Sequence, residues 1–279
     1  MLSQTTLQLL ATSLAMAPVA TARDVPTNVR NFYNTIVGQG QCSNKLASGF
    51  TAKDGGPSDY AYCQDKSNVI YIQGTKGRLA DMDIDCDGRQ GGPADDGRCG
   101  KSQDTQSITS FADTVRGYNK GISDLDAKIH PYVVFGNSGS KSGWKTFDPK
   151  AHGIQPLSVM AVVCGNKLIY GIWGDENGDD GPKPMVGEAS ISLATACYGK
   201  SITGNNGHDE TDVLYDAFEK SIQAKGDQLI QRLGGSSGGG GGSPTTPTCS
   251  WAGHCLGDQC KNENDCDQDW TCKNGKCSA

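Results

Sequence analysis

Twelve cysteines constrain the fold of this chain more tightly than any other feature, and they form two groups of six. The first group runs from Cys42 to Cys197, and the second is crowded between Cys249 and Cys277. Even numbers of cysteines are typical of disulfide frameworks in exported proteins, whereas the alternative, a zinc site, is disfavoured because the chain contains no C-x-x-C pair. We therefore predict disulfides in both groups, with a connectivity that the sequence does not specify.

The N-terminus supports export. Residues 7–22 read LQLLATSLAMAPVATA, an apolar run that is too short and too interrupted for a membrane span, although no Lys or Arg precedes it. The Ala20-Thr21-Ala22 pattern suits signal peptidase. We predict a signal peptide over residues 1–22, with cleavage after Ala20 as the alternative, and a secreted, extracellular protein.

A glycine-rich stretch divides the remaining chain. Residues 234–248 read GGSSGGGGGSPTTPT, a composition typical of a flexible linker with an extended Pro/Thr end. It separates a large domain, residues 23–233, from a module, residues 249–279, that has almost no aliphatic side chains. Such a module cannot form a hydrophobic core, so we expect disulfides to hold it together.

The overall charge argues against two classes of partner. The formal net charge is −6 and the isoelectric point is about 5.2, which disfavours nucleic acid and anionic membrane surfaces. After the N-terminal run, no segment approaches 18 consecutive apolar residues. We expect a monomer that binds neither nucleic acid nor membrane.

Most periodic segments of the large domain predict strands. Four stretches are rich in β-branched and aromatic residues and are bounded by Gly, Asn, Pro or Asp: 68–74, 132–136, 157–164 and 167–174. The last two are separated by Gly165-Asn166, which predicts a two-residue hairpin turn.

Fewer segments predict helices, and they are 27–38, 188–199 and 210–233. The middle one is ambiguous, but its alanines and Gly199 favour a helix with Glu188 in the first turn. We therefore predict a β-rich α+β fold. Its large domain is expected to be a barrel-like β domain with peripheral helices, and the double-psi barrel is the candidate topology. The C-terminal module is expected to be a separate, small disulfide-rich unit.

An acidic segment, DMDIDCDG, spans residues 81–88. Strand alternation would place Met82, Ile84 and Cys86 on one face and four carboxylates on the other: Asp81, Asp83, Asp85 and Asp87. The segment also opens like a calcium loop, but the position of the bidentate Glu is occupied by Ala94. Three interpretations stay open: an acidic wall facing a cationic substrate, a solvated face, and a calcium site.

A second acidic segment, residues 170–190, carries five carboxylates: Asp175, Glu176, Asp179, Asp180 and Glu188. Asp175 follows the apolar YGIW and Glu188 follows PMVG, and apolar surroundings raise a carboxyl pKa toward values that suit acid–base catalysis. A catalytic pair is therefore one interpretation. A solvated acidic loop and a metal loop beginning Asp175-x-Asn177-x-Asp179 are the alternatives.

Other catalytic motifs are weak or absent. The chain has no P-loop and no H-E-x-x-H. His130 and His208 have no Ser or Cys partner in a nucleophile-elbow context, so we expect structural, hydrogen-bonded histidines.

Four ordered blocks resemble the fungal chitosanases of glycoside hydrolase family 75. The blocks are DLDAKIHPYVVFGN (124–137), GIQPLSVMAVVC (153–164), YGIWGDENGDDGPKPMVGEASISLATACYG (170–199) and NGHDETDVLY (206–215). DMDIDCDG is similar to an acidic motif of that family. The resemblance covers nearly all of residues 25–220.

The resemblance implies an endo-acting enzyme that hydrolyses the β-1,4 bonds of chitosan with inversion and needs no metal or other cofactor. The family's essential Asp follows G-[IV]-W-G and its essential Glu lies in V-G-E-A-S, which correspond here to Asp175 as general base and Glu188 as general acid. If Glu188 begins a helix, the helix dipole would lower its pKa, so the pair is a firmer prediction than the roles.

A cationic polysaccharide gives the remaining acids a role as a substrate-binding wall: Asp81, Asp83, Asp85, Asp87, Glu176, Asp179 and Asp180. Trp173 and Tyr170 are candidates for stacking on sugar rings, with core packing as the alternative.

The C-terminal module is similar to small cysteine-rich tails of secreted fungal polysaccharide-degrading enzymes. Its only large aromatics, Trp251 and Trp270, predict sugar stacking. An inert cap and a protein-binding knot are the alternatives. For the whole chain, the competing class is a non-catalytic wall-binding protein, stabilised by calcium.

Overall fold

The computed structural model describes residues 22–53, 55–102, 105–178, 181–217 and 271–278. The chain divides into two compact units, Met1–Ser236 and Ser237–Ala279. The signal peptide, the linker, the loop residues Asp179 and Asp180, and both Trp251 and Trp270 lie outside the described residues. None of the described helices is long and apolar enough to cross a membrane.

Strands make up most of the regular structure. In the large unit they are β1 (Arg23–Asp24), β2 (Lys45–Phe50), β3 (Tyr60–Gln64), β4 (Ile70–Gln73), β5 (Ala80–Asp85), β6 (Tyr132–Asn137), β7 (Val159–Cys164), β8 (Lys167–Asn177), β9 (Glu188–Ser190) and β10 (His208–Ala217). The helices are α1 (Thr27–Gly38), α2 (Ala112–Gly117) and α3 (Ile191–Tyr198), with a 3₁₀ turn over Pro149–His152. In the small unit, β11 (Thr271–Lys273) and β12 (Lys276–Ser278) form a hairpin. The predicted β-rich class with few helices is confirmed.

The strands of the large unit form one mixed sheet whose pairing closes on itself. β7 pairs with β8, β8 with β6, β6 with β9, β9 with β5, β5 with β10, and β10 again with β7. The β8–β6 and β9–β5 pairs are parallel and the other four are antiparallel. From this circuit, β10 continues through β4 and β3 to β2, and β8 continues to β1.

The hairpin predicted at Gly165-Asn166 is confirmed. Both residues adopt left-handed backbone conformations, with φ of 51° and 61°, as a type I′ turn requires, and Cys164 pairs with Lys167 across it. A disulfide from Cys164 to Cys197 ties the end of α3 to this hairpin. The turn and the disulfide together fix the first residues of β8, the strand that carries Asp175 near its other end.

Three disulfides account for the whole first group of cysteines: Cys42–Cys63, Cys86–Cys99 and Cys164–Cys197. The predicted oxidation of this group is confirmed. The side chains of the second group lie outside the described residues.

Two hydrophobic clusters cover the two faces of the central strands. The larger contains Trp173, Tyr132 and Tyr215, and the smaller lies under α1, whose Val29, Phe32 and Ile36 are buried. The helix predicted over residues 27–38 is therefore confirmed, and its apolar stripe faces the second cluster.

The prediction that Trp173 stacks on sugar rings is wrong. Its side chain is 0% exposed and packs edge-on against Phe111, with ring centroids 4.8 Å apart. Tyr170 is engaged elsewhere, because its hydroxyl accepts a hydrogen bond from Arg23, whose guanidinium lies over the ring. Trp173 is therefore enclosed in the core, whereas Tyr170 is half-buried against the smaller cluster with Arg23 over one face of its ring.

The helix predicted over residues 210–233 is wrong in its first third, because residues 210–217 belong to strand β10. The consecutive apolar residues of this strand are buried on both faces. Val213 and Tyr215 enter the larger cluster, whereas Leu214 enters the smaller one. A short, continuous apolar run fits a doubly covered strand as well as a helix, and the sequence pattern alone cannot separate the two. Residues 218–233 lie outside the described residues.

One buried carboxyl of β10 has no partner among the described residues. Asp216 is 0% exposed and neither of its carboxyl oxygens accepts or donates a hydrogen bond there. Burial, and then the charge of Asp65, raise its pKa well above the ordinary range. The folded protein therefore keeps a proton on Asp216 that the unfolded chain releases above about pH 4.

This difference predicts that Asp216→Asn stabilises the protein near neutral pH. Because the folded state binds the extra proton, the free energy of unfolding falls as the pH rises from about 4 toward the folded-state pKa. The amide does not ionise, so we expect its thermal midpoint to exceed that of the wild type by about 3 °C or more at pH 7 and by less at pH 4.

The matched control is Asp95→Asn, an exposed loop position, which should leave the midpoint unchanged at both pH values. A lower midpoint for Asp216→Asn at pH 7 would contradict the prediction and indicate a cationic partner outside the described residues.

Candidate active site

A cleft of about 1490 Å³ opens on one side of the large unit. It contains both carboxylates predicted as the catalytic pair and, in the same cavity, five of the acids predicted to line a substrate-binding wall: Asp81, Asp83, Asp85, Asp87 and Glu176. The two sequence segments that carry these acids are about 90 residues apart, and the sheet brings them together.

Strand β6 sets the distance between Asp175 and Glu188. Val134 of β6 pairs with Asp175 of β8 on one side and with Glu188 of β9 on the other. Neighbouring strands are about 4.8 Å apart, so the two Cα atoms lie about 10 Å from each other in a flat sheet and closer in a curved one. Residues that pair directly project from the same face, and all three side chains line the cleft.

Glu188 lies in a strand, contrary to the expectation that it begins a helix. β9 ends at Ser190, whose hydroxyl caps α3 by accepting a hydrogen bond from the backbone N–H of Leu193. The helix therefore begins at Ile191. Glu188 precedes the helix and is not part of its first turn.

The main chain of β5 comes very close to two glycines. A Cβ on Gly187, whose φ is 102°, would lie 2.8 Å from Oδ1 of Asp81, and a Cβ on Gly207 would lie 2.2 Å from the carbonyl oxygen of Met82. Glycine is required at both positions, because any other side chain would push β5 away from its neighbours.

Asp175 is held by main-chain donors. The backbone N–H groups of Ser110 and Glu176 donate to its Oδ1 at 2.9 Å and 2.8 Å. Burial raises the pKa of Asp175 to about 6, although these hydrogen bonds oppose the shift. The carboxyl group is thus fixed in orientation and changes protonation state in mildly acidic solution.

Asp85, Asp87 and Asp175 form a tight cluster of buried carboxyls. One oxygen of each lies within 4.8 Å of the others. Burial, and then the charges of Asp175 and Asp87, raise the pKa of Asp85 well above its usual range. Three carboxylates at this spacing could bind a divalent cation, and without one their repulsion is relieved by protonation of Asp85 and by a backbone N–H that donates to an oxygen of each one. We interpret the cluster as partly protonated rather than as a metal site.

Asp81 and Asp83 form a second acidic group farther along β5. Burial, followed by the charge of Asp83, raises the pKa of Asp81 to about 8, and burial, followed by the charge of Asp209, raises that of Asp83 to about 6. Lys53 lies at the rim and forms an ion pair with Asp209 at 3.8 Å. Asp81, Asp85 and Asp87 are at most 9% exposed, which excludes the interpretation of this segment as a plain solvated face.

The alternation predicted for residues 81–88 is only partly observed. All four aspartates line the cleft and Met82 lies in the core, but Ile84 and Cys86 also line the cleft. The strand ends at Asp85, and beyond it the chain turns, so strict alternation does not extend to Cys86.

Among the described residues that line the cleft, none is aromatic. The apolar side chains there are aliphatic or sulfur-containing: Ile84, Ile108, Val134, Met185 and Cys86. Sequence reasoning missed several polar lining residues, among them Lys53, Lys101, Lys183, Ser110 and Asn205. They lie in loops without periodicity or motif, and only the fold brings them to the cleft.

Glu176 and the two histidines follow their predicted environments. Glu176 lines the cleft beside Lys150 at 3.8 Å, and burial raises its pKa. His130 accepts a hydrogen bond from the backbone N–H of Asp126, and His208 pairs with Asp212 and stacks on Tyr198. Both histidines are structural, as predicted.

Comparison with known proteins identifies the family. Residues 82–231 match the profile described as fungal chitosanase of glycosyl hydrolase group 75. The chain is 41% identical over 249 residues to an endo-chitosanase of Aspergillus oryzae, an alignment covering 79% of this chain and 96% of the relative.

Two further relatives extend the same comparison with equal coverage of both chains. An endo-chitosanase of Aspergillus fumigatus is 42% identical over 244 residues, and endo-chitosanase B of Aspergillus oryzae is 38% identical over 247 residues. The region matched by the family profile contains both central carboxylates, Asp175 and Glu188, and most of the residues that line the cleft. The chain therefore belongs to the fungal chitosanases of glycosyl hydrolase group 75.

Proposed function

We propose that this protein is a secreted endo-chitosanase that hydrolyses the β-1,4 bonds of chitosan by an inverting mechanism with two carboxylates. The observation that carries the proposal is the position of Asp175 and Glu188, both opposite Val134 in an acidic cleft. An inverting site needs about 6.5–9.5 Å between its carboxyl groups, so that a water molecule fits between base and sugar. Two sheet spacings across β6 are compatible with that separation.

In this mechanism Asp175 is the general base and Glu188 the general acid. The hydrogen bonds to Oδ1 of Asp175 hold its carboxylate in one orientation, from which it accepts a proton from the attacking water. A pKa of about 6 gives the base useful strength, and its ionised form predominates above about pH 6. Glu188, across β6, protonates the departing glycosidic oxygen.

Chitosan as the substrate explains why so many acids line the cleft. Its amines are cationic in mildly acidic solution, and a cleft rich in carboxylates attracts a cationic chain and disfavours acetylated units. Asp81, Asp83, Asp85, Asp87 and Glu176 supply the carboxyl groups from described positions, and an approaching cationic chain favours their ionised forms. Asp179 and Asp180 stay a prediction, because they lie outside the described residues.

The same proposal includes the finer features of the fold. The closed circuit of six paired strands supports a barrel as the core of the large unit. Its double-psi topology stays a prediction, as do the signal peptide, the monomeric state and sugar binding by Trp251 and Trp270 in the cysteine-rich module.

A non-catalytic wall-binding protein is the competing function, and variants of the proposed pair distinguish the two. We expect Asp175→Asn and Glu188→Gln each to reduce kcat/KM on highly deacetylated chitosan by about 100-fold or more, because each removes one proton-transfer group. Circular dichroism and thermal melting should show that both variants remain folded.

For this experiment Asp95→Asn is the matched control, since it makes the same chemical change at an exposed position away from the cleft. Full activity in either pair variant would rule out the mechanism. Activity lost in Asp179→Asn and kept in Asp175→Asn would transfer the role of base to Asp179.

The pH profile should reflect the ionisation of Asp175. Its carboxyl must be deprotonated to act as a base, so kcat/KM on soluble glucosamine oligomers should fall about tenfold per pH unit below a midpoint near pH 6. The Ser110 hydroxyl, which donates to the backbone carbonyl of Glu176, also lowers the pKa of the neighbouring Asp175, so Ser110→Ala should move this acidic limb to higher pH. An acidic limb near pH 4 in the wild type, unmoved in Ser110→Ala, would contradict this assignment.

A chelator separates a protonated carboxyl cluster from a calcium site. Because backbone N–H groups already donate to Asp85, Asp87 and Asp175, we expect EDTA to leave the thermal midpoint and activity unchanged. A midpoint that falls with EDTA and is restored by added calcium, but not by magnesium, would instead identify a calcium site.

A further inference from the structure

The acidic strand β5 extends on both sides of Glu188. Asp83 pairs directly with Glu188, and Asp85 pairs with Ser190 on the side where the cluster with Asp175 lies. Asp81 is on the other side, about 13 Å along the strand from Asp85 at about 3.3 Å per residue. Asp81 and Asp83 therefore extend the cleft beyond Glu188, away from the cluster that contains Asp175.

Asp81 has an unused acceptor in this part of the cleft. It is 2% exposed, and its Oδ1 has no hydrogen-bond partner among the described residues. The hydroxyl of Tyr215 donates to the backbone carbonyl of Asp81 and not to its carboxyl group. This oxygen lies against Gly187, and a buried carboxyl oxygen without a donor is unfavourable, so a ligand whose donor reached the carboxyl group of Asp81 on binding would be stabilised.

The charged and titratable groups that act on these two carboxyls are mainly acidic or neutral. They come from β3, β9, β10 and the loop after β2, and they are Tyr60, Glu188, Asp209, Tyr215 and Lys53. Among the described residues, Lys53 is the cation whose charge lowers the pKa values of Asp81 and Asp83, and it also pairs with Asp209 at the exposed rim. This end of the cleft therefore has a deficit of positive charge.

We infer that Asp81 and Asp83 form a subsite for the ammonium group of one glucosamine unit, adjacent to the glycosidic bond that Glu188 protonates. The inference rests on chitosan as the proposed substrate and specifies which residues recognise a free amino group. An ammonium group offers a positive charge and three donors to the two carboxyls, whereas an N-acetyl group offers no charge, one donor and additional bulk. The subsite thus makes a free amine a requirement at this one position of the chain.

Occupation of the subsite is coupled to proton release. In the empty cleft, burial and mutual repulsion keep the pKa of Asp81 at about 8 and that of Asp83 at about 6, so both carboxyls are protonated in mildly acidic solution. An ammonium group favours their ionised forms and lowers both pKa values. Binding of a fully charged glucosamine chain therefore expels protons from the protein.

Isothermal titration calorimetry measures this release. A glucosamine hexamer is titrated into the Glu188→Gln variant, which should bind without hydrolysing it, at about pH 5, where the amines are charged and both carboxyls are protonated. Two buffers of different ionisation enthalpy give the number of protons released. We expect about one or more per hexamer, and little or none, with weaker binding, for the N-acetylglucosamine hexamer.

Two further variants in the same background locate the release. Asp81→Asn and Asp83→Asn should each reduce the number of protons released and weaken binding of the glucosamine hexamer about tenfold. Asp95→Asn should change neither quantity. Thermal melting of each variant shows which are folded, and either of the two subsite variants is sufficient for the comparison.

Binding of the hexamer without proton release, or release that persists in both subsite variants, would overturn the subsite. Failure of the hexamer to bind any variant would overturn it as well. Failure of the proposed function gives a different result: the protein, with Glu188 intact, would then leave chitosan uncleaved even if the hexamer bound and released protons as expected.

Discussion

Parallel pairing between β5 and β9 holds the acidic strand against Glu188, and the rest of the site is arranged around that contact. β9 is only three residues long, yet it pairs with β5 on one side and with β6 on the other. Through β6 it is linked to β8 and to Asp175. Three consecutive strand pairings thus place carboxylates from distant parts of the chain on one surface, and loss of any of these pairings would separate them.

Burial of so many carboxyls in one cleft is a property of the empty protein that a cationic ligand reverses. In the free state their mutual repulsion is relieved by protonation and by backbone N–H donors, with smaller contributions from Lys53 near Asp81 and Asp83 and from Lys150 near Glu176. Since no aromatic side chain lines the described part of the cleft, ring stacking contributes little there. Recognition then depends on charge, with a strength that follows both pH and salt.

Local patterns in the sequence predicted the elements whose two faces are clearly different. Helix α1, the hairpin at Gly165-Asn166 and the oxidation of the first six cysteines follow from periodicity, turn chemistry and cysteine number. β10 was assigned wrongly, because burial on both faces removes the alternation that marks a strand. The start of α3 was placed too early, because the capping by Ser190 is visible only in the folded chain.

Within the site, the family motif predicted the positions of Asp175 and Glu188. The alternation of side chains along the strand predicted that Asp81 and Asp83 lie on one face, and both line the cleft. Trp173 was assigned to the wrong environment, since sequence does not tell an inward aromatic from an outward one. The hydrogen bond from Ser110 to Asp175 could not be foreseen either. It joins a loop to a strand 65 residues away, and no spacing or motif encodes it.

The two glycines that flank β5 restrict how this cleft can diverge during evolution. At Gly187 and Gly207 even a methyl group would collide with Asp81 or with the main chain of β5, so the floor of the cleft tolerates almost no drift there. New substrate preferences within this family are therefore expected to arise from the surrounding loops, which can change length and charge without displacing the strands. We therefore expect the strands that form the floor of the cleft to stay constant within the family, and the loops at its rim to vary.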